Sequence, residues 1–196
     1  MGLGTTASGQ YSTAMGLETT ASGGLSVAMG HQTEASGEFS TAMGRETIAG
    51  GYASTAMGLE TTASGFSSTA MGQRTTASGG TSTAMGYQST ASGGVSTAMG
   101  DNTEASGRFS TAMGEQTIAS DYNSLAVGRY NLLGSTITTS AEEFSLDNTA
   151  FVIGNGTASN NRSDAFVVKF NGDATLAGSM TATSFIGDGS QLTNLP

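Results

Sequence analysis

One short unit, copied in register, governs most of this chain. The tripeptide Ala14-Met15-Gly16 recurs every fourteen residues, which sets Met15-Gly16, Met29-Gly30, Met43-Gly44, Met57-Gly58, Met71-Gly72, Met85-Gly86, Met99-Gly100 and Met113-Gly114 at equivalent positions. The series ends in the variant Ala126-Val127-Gly128. Midway between these tripeptides runs a second series, from Ala21-Ser22-Gly23 to Ala105-Ser106-Gly107, so the deeper unit is a heptad reading Ala-x-Gly-x-x-(Ser or Thr)-x. Self-similarity at such a fixed, short period predicts a one-dimensional stack of like coils.

A seven-residue period also belongs to coiled coils, but those need large apolar residues at two heptad positions and good helix formers between them. Here each fourteen residues carry two glycines, each costing ~1 kcal/mol in a helix interior, amid dense Ser and Thr. Short strands divided by glycine turns remain. A fourteen-residue coil has a contour of ~46 Å, which suits two strands and two tight turns, and stacking such coils gives an all-β parallel solenoid. Thirty glycines, one proline (Pro196), no cysteine and 11% charged residues agree with this, and the low charge argues against disorder.

A formal charge of −9, from fifteen acids and six bases, leaves no basic stripe for phosphates and excludes nucleic acid as a partner on electrostatic grounds. No run of eighteen apolar residues exists, so direct membrane insertion by this segment is not expected, and Met1 does not open a signal peptide. Instead Met1-Gly2-Leu3-Gly4-Thr5-Thr6-Ala7-Ser8-Gly9 nearly repeats Met15 to Gly23, as a chain beginning inside an array would. The absence of cysteine is compatible with an extracellular bacterial fibre.

Each coil is expected to bring two alanines, one methionine and at places a valine such as Val27 to its interior. That is little apolar area against ~1.5 kcal/mol of ordering entropy per residue. A closed cyclic homo-oligomer would cover the flank that one chain leaves open.

At this point a known family comes into view. Ser26-Val27-Ala28-Met29-Gly30 and Ala35-Ser36-Gly37-x-x-Ser40-x-Ala42-Met43-Gly44 resemble the Ser-Val-Ala-Ile-Gly-x-x-Ala-x-Ala-x-Gly repeats of YadA-like trimeric autotransporter adhesin heads. About nine consecutive copies fill residues 1–130. The resemblance implies a left-handed parallel β-roll, assembled as a homotrimer on a bacterial surface or a phage-type fibre, with adhesion or host recognition as its service. Neither catalysis nor a cofactor is expected on the chain's own residues. The chain departs from those heads by using Met where they favour Ile or Val; since methionine fills irregular space adaptably, the same architecture with a softer core is expected.

Variation within the repeat marks the slots that should face water. Charges occupy the pairs after Met-Gly (Glu18, Arg45, Glu46, Glu60, Arg74, Asp101, Glu115), the pairs after Ser-Gly (Glu38, Arg108), Glu34, Glu104 and the irregular Asp121. Aromatics use the same turn slots: Tyr11, Phe39, Tyr52, Phe66, Tyr87, Phe109 and Tyr122. They are candidate ligand contacts, stacking platforms for a cell-surface glycan or protein on a target cell; packing between subunits would explain them as well. Thr33 to Ala49 is echoed seventy residues later by Thr103 to Ala119, a block of five coils that lengthens the rod without adding a pocket, as a passive spacer would.

Other function classes find less in the sequence. The sole histidine, His31, takes a variable turn slot, so neither a Ser-His-Asp site nor a zinc site is expected from one chain. Threefold symmetry could gather three copies of His31 if that turn lay on the axis. Gly154-x-Gly156 lacks the strand-to-helix context of a phosphate loop. Ice binding remains as an alternative, because Thr19, Thr33, Thr47, Thr61 and Thr75 form one column and Thr41, Thr55, Thr69, Thr83, Thr97 and Thr111 another.

Beyond Tyr130 the register fails, and residues 131–196 read as a β-rich connector or fibre module, expected to be trimeric like the roll. Phe166, Val168 and Phe170 alternate on one face, Asn171-Gly172 supplies a hairpin turn, and Ala174-Thr175-Leu176 returns. Phe151-Val152-Ile153 and Ser184-Phe185-Ile186 read as further strands. The stretch from Phe151 to Ser190 resembles linker modules of bacterial and phage-like fibres.

Overall fold

The computed structural model describes residues 2–134 and 141–184. Every regular element among them is a strand. Each fourteen-residue coil contributes two: a two-residue strand such as β3 (Thr20–Ala21) and a five-residue strand such as β4 (Val27–His31). The short strands β1 (Thr6–Ala7) through β17 (Ile118–Ala119) stack into a nine-stranded sheet. The long strands β2 (Thr13–Leu17) through β18 (Leu125–Arg129) stack into a wider one. All pairings within the array are parallel and in step with the repeat, as in Thr55↔Thr69, Ala56↔Ala70, Met57↔Met71 and Gly58↔Gly72. This is the all-β parallel solenoid of fourteen-residue coils that the repeat predicts, with about nine turns.

The coil is too narrow for anything larger than a methyl group or hydroxyl inside it. Sixteen alanines, Ala21 to Ala126 at every seventh residue, have no exposed surface and make the core. Between them run enclosed hydroxyls. Ser26, Ser68 and Ser124 donate at 2.7–2.8 Å to the carbonyl three residues earlier, and Thr103 donates to Ser89 at 2.9 Å.

Strand alternation then decides where methionine goes. In β8 (Thr55–Leu59) Ala56 points inward, so its neighbours Thr55 and Met57 point outward. The expected interior methionines and Val27 therefore lie, half-buried, on the outer face of the wide sheet, and the softness they bring belongs to that face. The threonine columns divide likewise. Thr19, Thr33, Thr47, Thr61 and Thr75 are enclosed at 0–1% exposure and can present no lattice to ice, whereas the Thr41 column shares the outer face with the methionines.

The backbone ladder continues round both corners of the coil. At each corner one residue adopts φ between 44° and 63°, two per coil from Tyr11 to Tyr130. There its N–H turns along the stack to donate to the preceding coil, as from Ser67 to the Tyr52 carbonyl at 2.7 Å and from Arg74 to the Leu59 carbonyl at 2.8 Å. The glycines beside these corners are sites of close approach. A Cβ on Gly58 (φ +129°) would stand 1.9 Å from the Gly72 carbonyl oxygen, and one on Gly65 would stand 2.0 Å from that of Gly79.

The array ends in two side-chain caps. Asp121 occupies the last slot of the second glycine column; it is 1% exposed, and its carboxylate accepts the Thr149 N–H at 2.9 Å. The exposed slot expected for Asp121 is thus a buried junction. Asn131 caps the narrow sheet: its amide accepts the Ile118 N–H at 2.8 Å and donates to the Ile118 carbonyl at 3.0 Å, as a next strand would. The wide sheet runs on instead. β19 (Thr149–Asn155) pairs parallel with β18, setting Val152 on Ala126 and Gly154 on Gly128. β20 (Asp164–Lys169) and β21 (Ala174–Leu176) then add antiparallel, joined by a turn in which Gly172 has φ +94° and donates to the Lys169 carbonyl. The hairpin predicted at Asn171-Gly172 forms. Phe151-Val152-Ile153 is a strand, while Phe185-Ile186 and Gly187-Asp188-Gly189 lie outside the described residues.

Candidate ligand-contact edges

The two corners of the coil stack into two edges that run the length of the roll. The edge after Ser-Gly offers two slots per coil. The first reads Gln10, Gly24, Glu38, Tyr52, Phe66, Gly80, Gly94, Arg108, Tyr122, and the second, at positive φ, reads Tyr11, Leu25, Phe39, Ala53, Ser67, Thr81, Val95, Phe109, Asn123. Six of the seven candidate aromatics fall on this edge because only a turn slot, free of the packed interior, has room for a ring.

The structure brings three of them into one ladder. Phe39 meets Tyr52 edge-on at 5.3 Å between centroids, and Tyr52 stacks on Phe66 at 5.1 Å with 2° between planes. The ladder stays open to solvent, with Phe39 and Tyr52 each 45% exposed and Phe66 60%. Phe109 and Tyr122 form a second group, 5.4 Å apart, which Phe144 and Phe170 extend into the C-terminal hairpin. The Arg108 guanidinium lies over the Phe109 ring at 4.9 Å. Tyr11 stands apart, two coils before Phe39 with Leu25 between. Tyr87 lies on the opposite edge, at the end of β12 (Thr83–Tyr87), between Gln73 and Asp101.

That opposite edge, after Met-Gly, carries paired charges among Leu17, Leu59 and Tyr87. Arg74 binds Glu60 at 2.8 Å and Arg129 binds Glu115 at 2.8 Å, each pair one coil apart. Gln32 donates to Glu18 at 3.0 Å. The Arg74 hydrogen bond, and then its charge, hold the Glu60 carboxyl below the usual carboxylate range. Hydrogen bonds from Arg129 and from the Tyr130 hydroxyl do the same for Glu115, and donating that bond raises the Tyr130 phenol. These groups are exposed, so salt screens the pairs and they add little to stability. His31 stands on this edge between Leu17 and Arg45. Among the described residues no three His, Cys, Asp or Glu side chains gather as a metal-holding group.

Sequence reading found the ring slots but not which rings meet, since that depends on the offset between the two slots of successive coils. It placed Arg108 in the water-facing pairs but passed over Gly80 and Gly94, and so missed that these three residues interrupt the ring column. Reading the first slot down the stack, as Tyr52, Phe66, Gly80, Gly94, Arg108, would have exposed the gap.

Compared with curated proteins, the chain gives no match. The YadA head domain repeat (2 copies) matches residues 1–19, 21–47, 49–75, 63–89, 77–103 and 105–131, well over half of the sequence. Those segments coincide with the stacked coils, and the chain belongs to the YadA head repeat family.

Proposed function

We propose that this chain is a segment of a homotrimeric surface or tail-type fibre that serves adhesion or host recognition through repeated weak contacts along its turn edges. The observation that carries the adhesion reading is the exposed ring ladder Phe39–Tyr52–Phe66: three aromatic side chains held on a rigid edge, none enclosed by its own chain. The partner is a glycan or protein on a target cell, and nucleic acid is excluded by the charge of −9.

The homotrimer rests on the outer face of the wide sheet. Eight methionines from Met15 to Met113 and a column of threonines line it in register over eight strands, roughly 34 Å at ~4.8 Å per strand. Monomeric proteins rarely leave so long a continuous apolar stripe uncovered. Three such rolls, left-handed as in the heads the sequence resembles, would face one another across a threefold axis. YadA-type adhesins are cell-surface proteins, and we assign this segment to the same extracellular setting. No helix among the described residues is long and apolar enough to cross a membrane.

The duplicated block of five coils favours a second reading, a passive spacer whose recognition domain lies elsewhere in the fibre. Array length separates the two. If linked weak sites carry binding, cutting the array from nine coils to four should lower cell avidity by ~10² or more while the fold persists. Cell-binding assays with trimer-checked length variants measure this. If residues 1–130 bind no cell surface, the spacer reading replaces adhesion.

A further inference from the structure

The ring ladder has one open end. Tyr52 covers one face of Phe66, but the next coil sets Gly80 in the same slot, and nothing lies within 4 Å of where a Gly80 Cβ would be. The higher exposure of Phe66, 60% against 45% for its two ladder partners, has this cause. One coil further the slot holds Gly94, and the Arg108 side chain leans back over it, Cγ 3.6 Å and Nε 4.0 Å from a Gly94 Cβ position. The edge thus carries a notch with the bare face of Phe66 as one wall, the Arg108 side chain as the other, and Gly80 and the exposed Thr81 as its floor.

We propose that this notch binds one neutral pyranose ring of a glycan, its C–H face stacked on Phe66 and its hydroxyls bonded to Arg108 and Thr81. Width is the first argument. Two strand spacings, roughly 9.6 Å, separate the level of Phe66 from that of Gly94, so a six-membered ring midway would lie near 4.8 Å from each wall. Chemistry is the second. The π face of Phe66 carries negative potential and suits the apolar C–H face of a sugar. Arg108, seated on Phe109, keeps N–H donors in the guanidinium plane, and the Thr81 hydroxyl both donates and accepts. Charge is the third: a chain at −9 repels a polyanionic chain, and one arginine on this edge does not reverse that. The proposal rests on the adhesion reading and names the ligand class for one of its edges.

Saturation-transfer NMR on the full chain, with lactose, cellobiose and maltose as neutral probes and 3′-sialyllactose as the anionic one, tests it. At least one neutral sugar should bind at about millimolar affinity, with Phe66 ring protons in contact. Phe66→Ala should weaken that binding about tenfold or more. Gly80→Phe should abolish it by extending the ladder into the notch, with an unchanged melting temperature, because that site has ordinary φ and open space. Tyr87→Ala, on the opposite edge, should leave it intact. Binding that both notch variants spare, binding of the anionic probe alone, or absence of sugar binding in a chain that still attaches to cells would overturn the notch while leaving adhesion in place. Loss of cell attachment altogether would fall on the adhesion reading.

Discussion

At the scale of single residues, the glycine slots and the positive-φ slots make opposite demands. Gly58 has no room for a Cβ, since the next coil's carbonyl would stand 1.9 Å from it, and the clash is with backbone that cannot yield without parting two coils. Gly58→Val is expected to abolish cooperative folding of the array or lower its melting temperature steeply. Glu60→Gln, two residues on, replaces one member of an exposed, screened pair and should leave melting within error. Equal melting temperatures for the two variants would refute the assignment. The positive-φ slots have room but suffer strain. Val95, β-branched at φ +59°, is poorly suited to the left-handed region, where asparagine is at ease. Val95→Asn is expected to stabilise the fold by about 1 kcal/mol, read as a rise in melting temperature. An unchanged or lower value would mean that Val95 contributes through contacts the single chain does not contain.

At the scale of elements, the period made the array legible and the alternation of side chains made it more so than composition suggests. Ala at the centre of each Thr-Ala-Met strand points inward, which forces Met outward. Expecting an apolar residue to seek the interior gave the wrong face, because a coil this thin encloses only methyl groups and hydroxyls. The Asp121 cap was illegible for a related reason: one acid replacing a glycine in a repeat looks like decoration until its carboxylate is seen to accept the Thr149 N–H. The strand at Phe151-Val152-Ile153 was legible, but its place as the next strand of the wide sheet was hidden by spacing. Its Phe-Val-Ile-Gly reproduces the inward and outward order of Thr-Ala-Met-Gly, but it follows β18 by twenty-six residues rather than fourteen. Val152, fully enclosed against Ala126, is the residue through which this strand joins the roll. Val152→Asp is expected to cost about 3 kcal/mol locally by burying an uncompensated charge. Limited proteolysis should then cut beyond residue 131 while the array stays protected. Uniform resistance along the chain would show that β19 does not depend on this contact.

At the scale of the whole molecule, the roll has two kinds of surface. The turn edges vary from coil to coil and carry charges and rings, whereas the outer face of the wide sheet repeats almost without change from Met15 to Met113. Variation belongs where partners differ or nothing touches, and constancy belongs where every coil meets the same neighbour. A threefold assembly through the constant face would leave the variable edges outward, which is the geometry that repeated weak adhesion requires. In such an assembly methionine would give a pliant seam between chains. The central claim is therefore the trimer, and light scattering on the purified chain at micromolar concentration tests it most directly. The mass should be three times the 19.5 kDa of one chain; a well-folded monomer with a cooperative melt would contradict the account.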